Sequence, residues 1–142
     1  MLSITINGQG SLEQTLAALK SAIQIPKILD EAGAILLARI RARFLSETAP
    51  VGGKWKPSLA AQLRATAGRG GGTLYDTGRL FNSIQLYALG EDSRAIGSDV
   101  FYGAFHQTGT RYMVARVFLG FNDEDARVVE GYLVKRIGDA LS

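Results

Sequence analysis

An apolar stripe at helical spacing constrains this chain more than any other feature. From about residue 27 to residue 47, Leu29, Gly33, Leu36, Ile40 and Phe44 recur every three or four positions, with Ala32 and Leu37 widening the stripe. That recurrence predicts a long amphipathic helix of about six turns. Such a face must lie against other apolar surface. Gly33 and its neighbouring alanines predict a close approach of another backbone there. Pro26 disfavours helix at Ile25, so a first helix, capped at Ser11 with Gln14 at the capping-box position, should end before it. Leu12, Leu16, Leu19 and Ile23 mark that helix's apolar face.

Alternating segments supply the surface that the stripe requires. Leu2, Ile4 and Ile6 alternate with polar residues, and residues 83–90 alternate cleanly before the turn at Gly90-Glu91-Asp92-Ser93. Residues 94–101 return as the hairpin partner. Residues 113–120 form an extended apolar run broken by one charge, Arg116. The expected fold is α+β: a small antiparallel β-sheet from residues near 2–7, 83–90, 94–101 and 113–120, packed against the long α-helix, with a C-terminal helix and flexible loops. Asn122 caps that last helix, whose first turn, Asp123-Glu124-Asp125, is acidic as the helix dipole prefers. Ala126, Val129, Leu133 and Ile137 make its core face. Shorter helical turns are expected near residues 58–67, with Leu59 and Leu63 inward, near residues 76–80, capped by Asp76 or Thr77, and from Gly103 to His106. A length of 142 residues fits one domain.

The same residues exclude most chemistry. With no cysteine there is neither a disulfide nor a thiolate metal site. One histidine, His106, has no nucleophile-elbow pattern to serve and no companion ligand, so it reads as a turn or interface residue; an esterase or hydrolase would have to be built on it alone. No cofactor is expected. The N-terminus does not read as a signal peptide and no apolar run reaches the roughly 20 residues of a membrane span, so a chain made in the cytoplasm, with no membrane partner, is expected. A net charge of +3 is a mild basic excess.

The residues left over are positive or aromatic. Arg39, Arg41 and Arg43 crowd one end of the long helix, the first and last on one face and Arg41 elsewhere; dipole and solvation account for them, or contact with phosphate or acidic residues of a partner. Trp55 stands between Lys54 and Lys56 in a loop framed by Pro50 and Pro57, either as a lid over the core or as a contact anchor. Arg69 lies in the glycine-rich run 68–72, which lacks the lysine and hydroxyl of a phosphate loop and suits a mobile hairpin or assembly arm. Arg116 must reach water, a carboxylate or a partner, because an unpaired buried cation costs several kcal/mol, roughly.

Four fragments in order, F-L-S-E-T-A-P-V-G-G-K-W-K-P (44–57), L-Y-D-T-G-R-L-F-N-S-I (74–84), Y-G-A-F-H-Q-T-G (102–109) and A-R-V-F-L-G-F (115–121), together resemble the virion morphogenesis, or tail completion, proteins of Mu-like tailed bacteriophages. The resemblance covers roughly residues 27–141; the family pattern favours proline where this chain has Val117. It implies a structural protein of the virion neck, assembled in the host cytoplasm, that completes the tail and helps to join it to the DNA-filled head. It implies no catalysis and no cofactor. The implied partners are further copies of the chain in a ring, other neck, tail-terminator or head-connector proteins, and non-specific packaged DNA. Lys54, Trp55, Lys56, Arg69, His106 and Arg116 are the candidate interface residues. The competing expectation is a small basic nucleic-acid-binding protein using Arg39, Arg43, Lys54, Trp55 and Lys56.

Overall fold

In the computed structural model, which describes residues 9–142, the long amphipathic helix is α2, Ile25–Leu45. It follows α1, Gln9–Ile23, across a single residue: Gln24 takes a left-handed conformation (φ 53°), which breaks the helix just before Pro26 enters the first turn of α2. Helix α1 already runs through Ser11, so Ser11 is not its cap. The strand expected at residues 2–7, and the side chain of Leu12, lie outside the described residues. The remaining elements are α3 (Leu59–Thr66), α4 (Arg79–Ser83), β1 (Gln85–Ala88), β2 (Arg94–Gly97), α5 (Tyr102–Thr108) and α6 (Asp123–Leu141).

Ile40 and Phe44, fully buried on α2, anchor the core with Trp55, Leu80, Ile84, Val100 and Phe118. The Phe44 ring meets Trp55 edge-on at 5.3 Å and Phe118 at 5.9 Å. Farther along α2, Gly33 does admit a close neighbour, but it is a side chain rather than a backbone. A Cβ there would lie 2.6 Å from Leu86 Cδ1, so the glycine seats β1 on the helix. Strands β1 and β2 pair antiparallel, Leu86 opposite Ile96 and Tyr87 opposite Ala95.

Among the described residues the sheet has these two strands. Residues 113–121 do not join it. The backbone there is extended, and side chains satisfy it in place of a neighbouring strand. Gln107 Oε1 accepts from the amides of Phe118 and Leu119, both at 3.1 Å, while its Nε2 donates to the Leu119 carbonyl at 2.6 Å. Trp55 Nε1 donates to the Val117 carbonyl at 2.8 Å, and Arg43 Nη2 to that of Gly120 at 2.9 Å. Val100 to Tyr102 likewise turns into α5 instead of ending a strand. Gly109 closes α5 at φ 75°, where a Cβ would lie 2.8 Å from the Ala115 amide nitrogen.

Helix α6 is capped as expected, through a reciprocal box: Asn122 accepts from the Asp125 amide and Asp125 from the Asn122 amide. Asp125 does more than complement the dipole. It is completely buried and receives Arg39 and Arg43 from α2, the latter at 2.9 Å. Tyr132 and Arg136 close on Glu31 farther along the same pair of helices. The predicted core face of α6 is half-covered, with Val129 and Leu133 partly buried and Ile137 at the rim of an open apolar groove. Leu59 and Leu63 face solvent, because α3 packs through its backbone ends and Arg64 rather than through its leucines. Its cap is Ser58, which accepts from the Ala61 amide. Helix α4 starts later than expected and is capped by Gly78 instead of Asp76 or Thr77.

Candidate functional site

Arg116, the single charge in the apolar run 113–120, is met by backbone carbonyls rather than by a carboxylate. Arg116 is only 8% exposed. Its amide donates to the His106 carbonyl at 2.7 Å, which fixes the extended segment on α5. Its Nε donates to the Lys56 carbonyl at 2.7 Å and its Nη2 to that of Pro57 at 3.4 Å. Backbone dipoles thus solvate the guanidinium. Among the described residues no carboxylate lies within ion-pair distance of it.

Arg116 lines a cavity of about 600 Å3 bounded by α3, α4 and α5. Two further cations line it. Arg64, from α3, donates to the Gly72 carbonyl at 2.9 Å and stands 3.7 Å from Asp76; Arg79, at the start of α4, lies over the Tyr102 ring at 5.9 Å. His106 completes the wall, its ring edge-on to Tyr102 and its Nδ1 buried without a hydrogen-bond partner among the described residues. Burial, and then the neighbouring Arg116 charge, hold the imidazole below its ordinary pKa. Three guanidiniums therefore face one carboxylate, Asp76, which Arg69 also shares at 3.5 Å. Apart from Asp76, the charged side chains that line the cavity are arginines. Among the described residues no group of three or more His, Asp or Glu side chains is placed to hold a metal.

The structure brings His106 and Arg116 together, adds Lys56 through its carbonyl, and places Arg69 nearby through Asp76. It separates them from Trp55. That ring is 6% exposed and belongs to the core, so of the two readings the lid holds and the contact anchor is corrected: flanking lysines say nothing about an indole whose N–H has a carbonyl partner. Lys54 and Lys56 point to solvent on either side. The glycine run is tied at its far end. Thr73 is buried, its amide donates to the Glu47 carboxylate, and its hydroxyl accepts from the Ser58 amide at 3.2 Å, so an arm could include only the residues before Gly72. The arginines of α2 are committed within the fold, Arg39 and Arg43 to Asp125, and Arg41 to the Ile84 carbonyl at 2.7 Å. Sequence reasoning passed over Arg64 and Arg79. Arg64 sits in no pattern that marks it, and Arg79 is one position of the 74–84 fragment with nothing to single it out; only the meeting of α3 and α4 at one cavity does.

Beside the cavity, several large apolar side chains stand in solvent. Tyr112 is 90% exposed and Phe101 74%, and Phe105 of α5 and Leu59 and Leu63 of α3 are also exposed. No helix among the described residues is long and apolar enough to cross a membrane.

A small α+β chain with an arginine-lined cavity and exposed aromatic side chains is the class these features define. Comparison with known proteins gives it a family: residues 9–138 match the phage virion morphogenesis family, and the chain belongs to that family. It is also similar to Mu-like prophage FluMu G protein 1 of Haemophilus influenzae, 28% identical over 133 residues that cover 91% of this chain and 90% of the relative. No solved structure matches it.

Proposed function

We propose that the chain is a structural component of a tailed-phage neck, completing the tail and joining it to the DNA-filled head as a ring of copies. The observation that carries this reading, beside family membership, is the exposed apolar surface around α3, α5 and the loop holding Tyr112. A small chain does not keep such side chains in water without cost, and contacts between copies or with neighbouring virion proteins would cover them. The buried, unpartnered Nδ1 of His106 supports a structural role over a hydrolytic one, since a general base needs an orienting acceptor on that nitrogen. The commitment of Arg39 and Arg43 to Asp125, and of Trp55 to the core, removes three of the five residues on which a nucleic-acid-binding reading rested.

Genetic complementation tests the proposal. A phage or prophage lacking the gene should accumulate filled heads and separate tails, and the gene supplied in trans should restore infectious particles. A block before heads form, or normal particles from the null, would sink it.

A further inference from the structure

We infer that the cavity of Arg64, Arg79 and Arg116 receives carboxylate side chains from a second copy of this chain, supplied by Glu91 and Asp92 at the tip of the β1–β2 hairpin. This deepens the self-assembly reading above and rests on it. The cavity carries three guanidiniums against one carboxylate, and the most recessed of them, Arg116, has only carbonyl dipoles for company. Such a cation is stabilised by an anion that brings its own hydrogen-bond acceptors into the site. Glu91 and Asp92 are adjacent, exposed, and without an ion-pair partner among the described residues, on a two-stranded projection whose neighbouring Leu89 is exposed as well.

The tip and the cavity of one copy cannot meet. The tip is held at the start of α2, where Arg94 donates to the carbonyls of Gly90 (2.6 Å) and Pro26 (3.3 Å) and pairs with Asp30 (2.6 Å). The cavity lies at the other end, where Thr73 and Ser58 are tied to Glu47. Twenty-one residues of helix at 1.5 Å each separate the two, about 30 Å. A tip-to-cavity contact is therefore made between copies; where each copy gives its hairpin to one neighbour and takes that of another, the contact is heterologous, and it forms a ring if the rotation between copies closes. A carboxylate on one or two methylenes at a hairpin tip is slim enough to approach a guanidinium that is 8% exposed, whereas the phosphates of a DNA duplex are carried on a broad rigid cylinder.

The test is sedimentation of the full chain and of variants at exposed positions, with circular dichroism confirming an unchanged fold. Glu91→Lys with Asp92→Lys should weaken self-association by roughly tenfold or more, as close interfacial charge pairs do. Arg79→Glu should do the same, and combining it with the two lysines should recover a good part of the loss. Unchanged assembly of the Glu91→Lys, Asp92→Lys variant overturns the contact, as does a wild-type chain that sediments only as a monomer. So does an Arg79→Glu variant that loses affinity for a short DNA duplex but assembles normally, since the anion would then be phosphate. Complementation separates this contact from the neck function: a null phage rescued fully by the Glu91→Lys, Asp92→Lys gene rejects the contact and leaves the function standing.

Discussion

Asp125 shows how one residue can hold two helices and an acid limit together. Burial alone would raise its pKa, but hydrogen bonds from Arg43 and Arg39 and from the Asn122 amide hold the carboxyl below its ordinary value. Its contribution to stability is thus complete above the unfolded pKa of about 3.9 and is lost as pH falls through the lower folded value. Asp125→Ala should cost about 3 kcal/mol at neutral pH, measured by urea unfolding, since it strands two guanidiniums and opens the cap. His106 acts in a higher window. Its folded pKa is depressed, so the unfolded chain takes up the proton first and stability declines as pH drops below about 6.5. His106→Gln should flatten the melting temperature between pH 7 and pH 5, roughly that window, and leave the acid limit set by Asp125 in place. Arg41 belongs at this scale too. The sequence assigns it a solvated face, yet Arg41→Ala removes the donor to the Ile84 carbonyl and should cost about 1–2 kcal/mol in the same unfolding assay.

At the scale of elements, the extended segment after Thr110 is the clearest departure from what periodicity predicts. The apolar run over residues 113–120 reports a segment that is at least partly buried, and Arg116 and Phe118 are buried within it. It carries no information on what satisfies the backbone. Here the side-chain amide of Gln107, the penultimate residue of α5, substitutes for a strand on both sides of the Phe118–Leu119 peptide. Gln107→Leu should keep α5 and speed amide exchange at Phe118 and Leu119 well beyond that in β1 and β2, which exchange mapping would read directly. The long helix was legible for the opposite reason. Its stripe and the Asn122 cap of α6 are local signals: Gly33, Ile40 and Phe44 are buried as expected and Leu29 and Leu36 partly so, while the break before Pro26 falls at Gln24 and leaves Ile25 helical, against expectation. What Arg39 and Arg43 touch was not legible, because Asp125 is more than 80 residues away and its neighbours Asp123 and Glu124 read identically in sequence. Trp55 misled for a related reason: a loop's polarity is set by the side chains that leave it, not by the one that turns in.

For the whole molecule, the aromatic residues at the two extremes of burial have different work, while Tyr75, Phe81, Tyr102 and Tyr132 lie between them, partly buried. Phe44, Trp55 and Phe118 hold α2, the proline-framed loop and the extended segment together, whereas Phe101, Phe105 and Tyr112 are left outside. Trp55→Ala should accordingly act on folding rather than assembly, costing about 3–5 kcal/mol of stability. Tyr112→Ala should leave the melting temperature unchanged and weaken association between copies, read by sedimentation. The shortness of the sheet has a consequence for how such a part is stocked. β1 and β2 are four residues each, so neither open edge offers a neighbour more than a brief ladder to extend. Strand addition, the route of polymerisation that is hardest to undo, is thereby given little to build on. In the proposed ring the joints would be made of side chains, which would come apart in salt or acid and form again when conditions return, giving a misplaced copy the chance to leave before the particle is sealed.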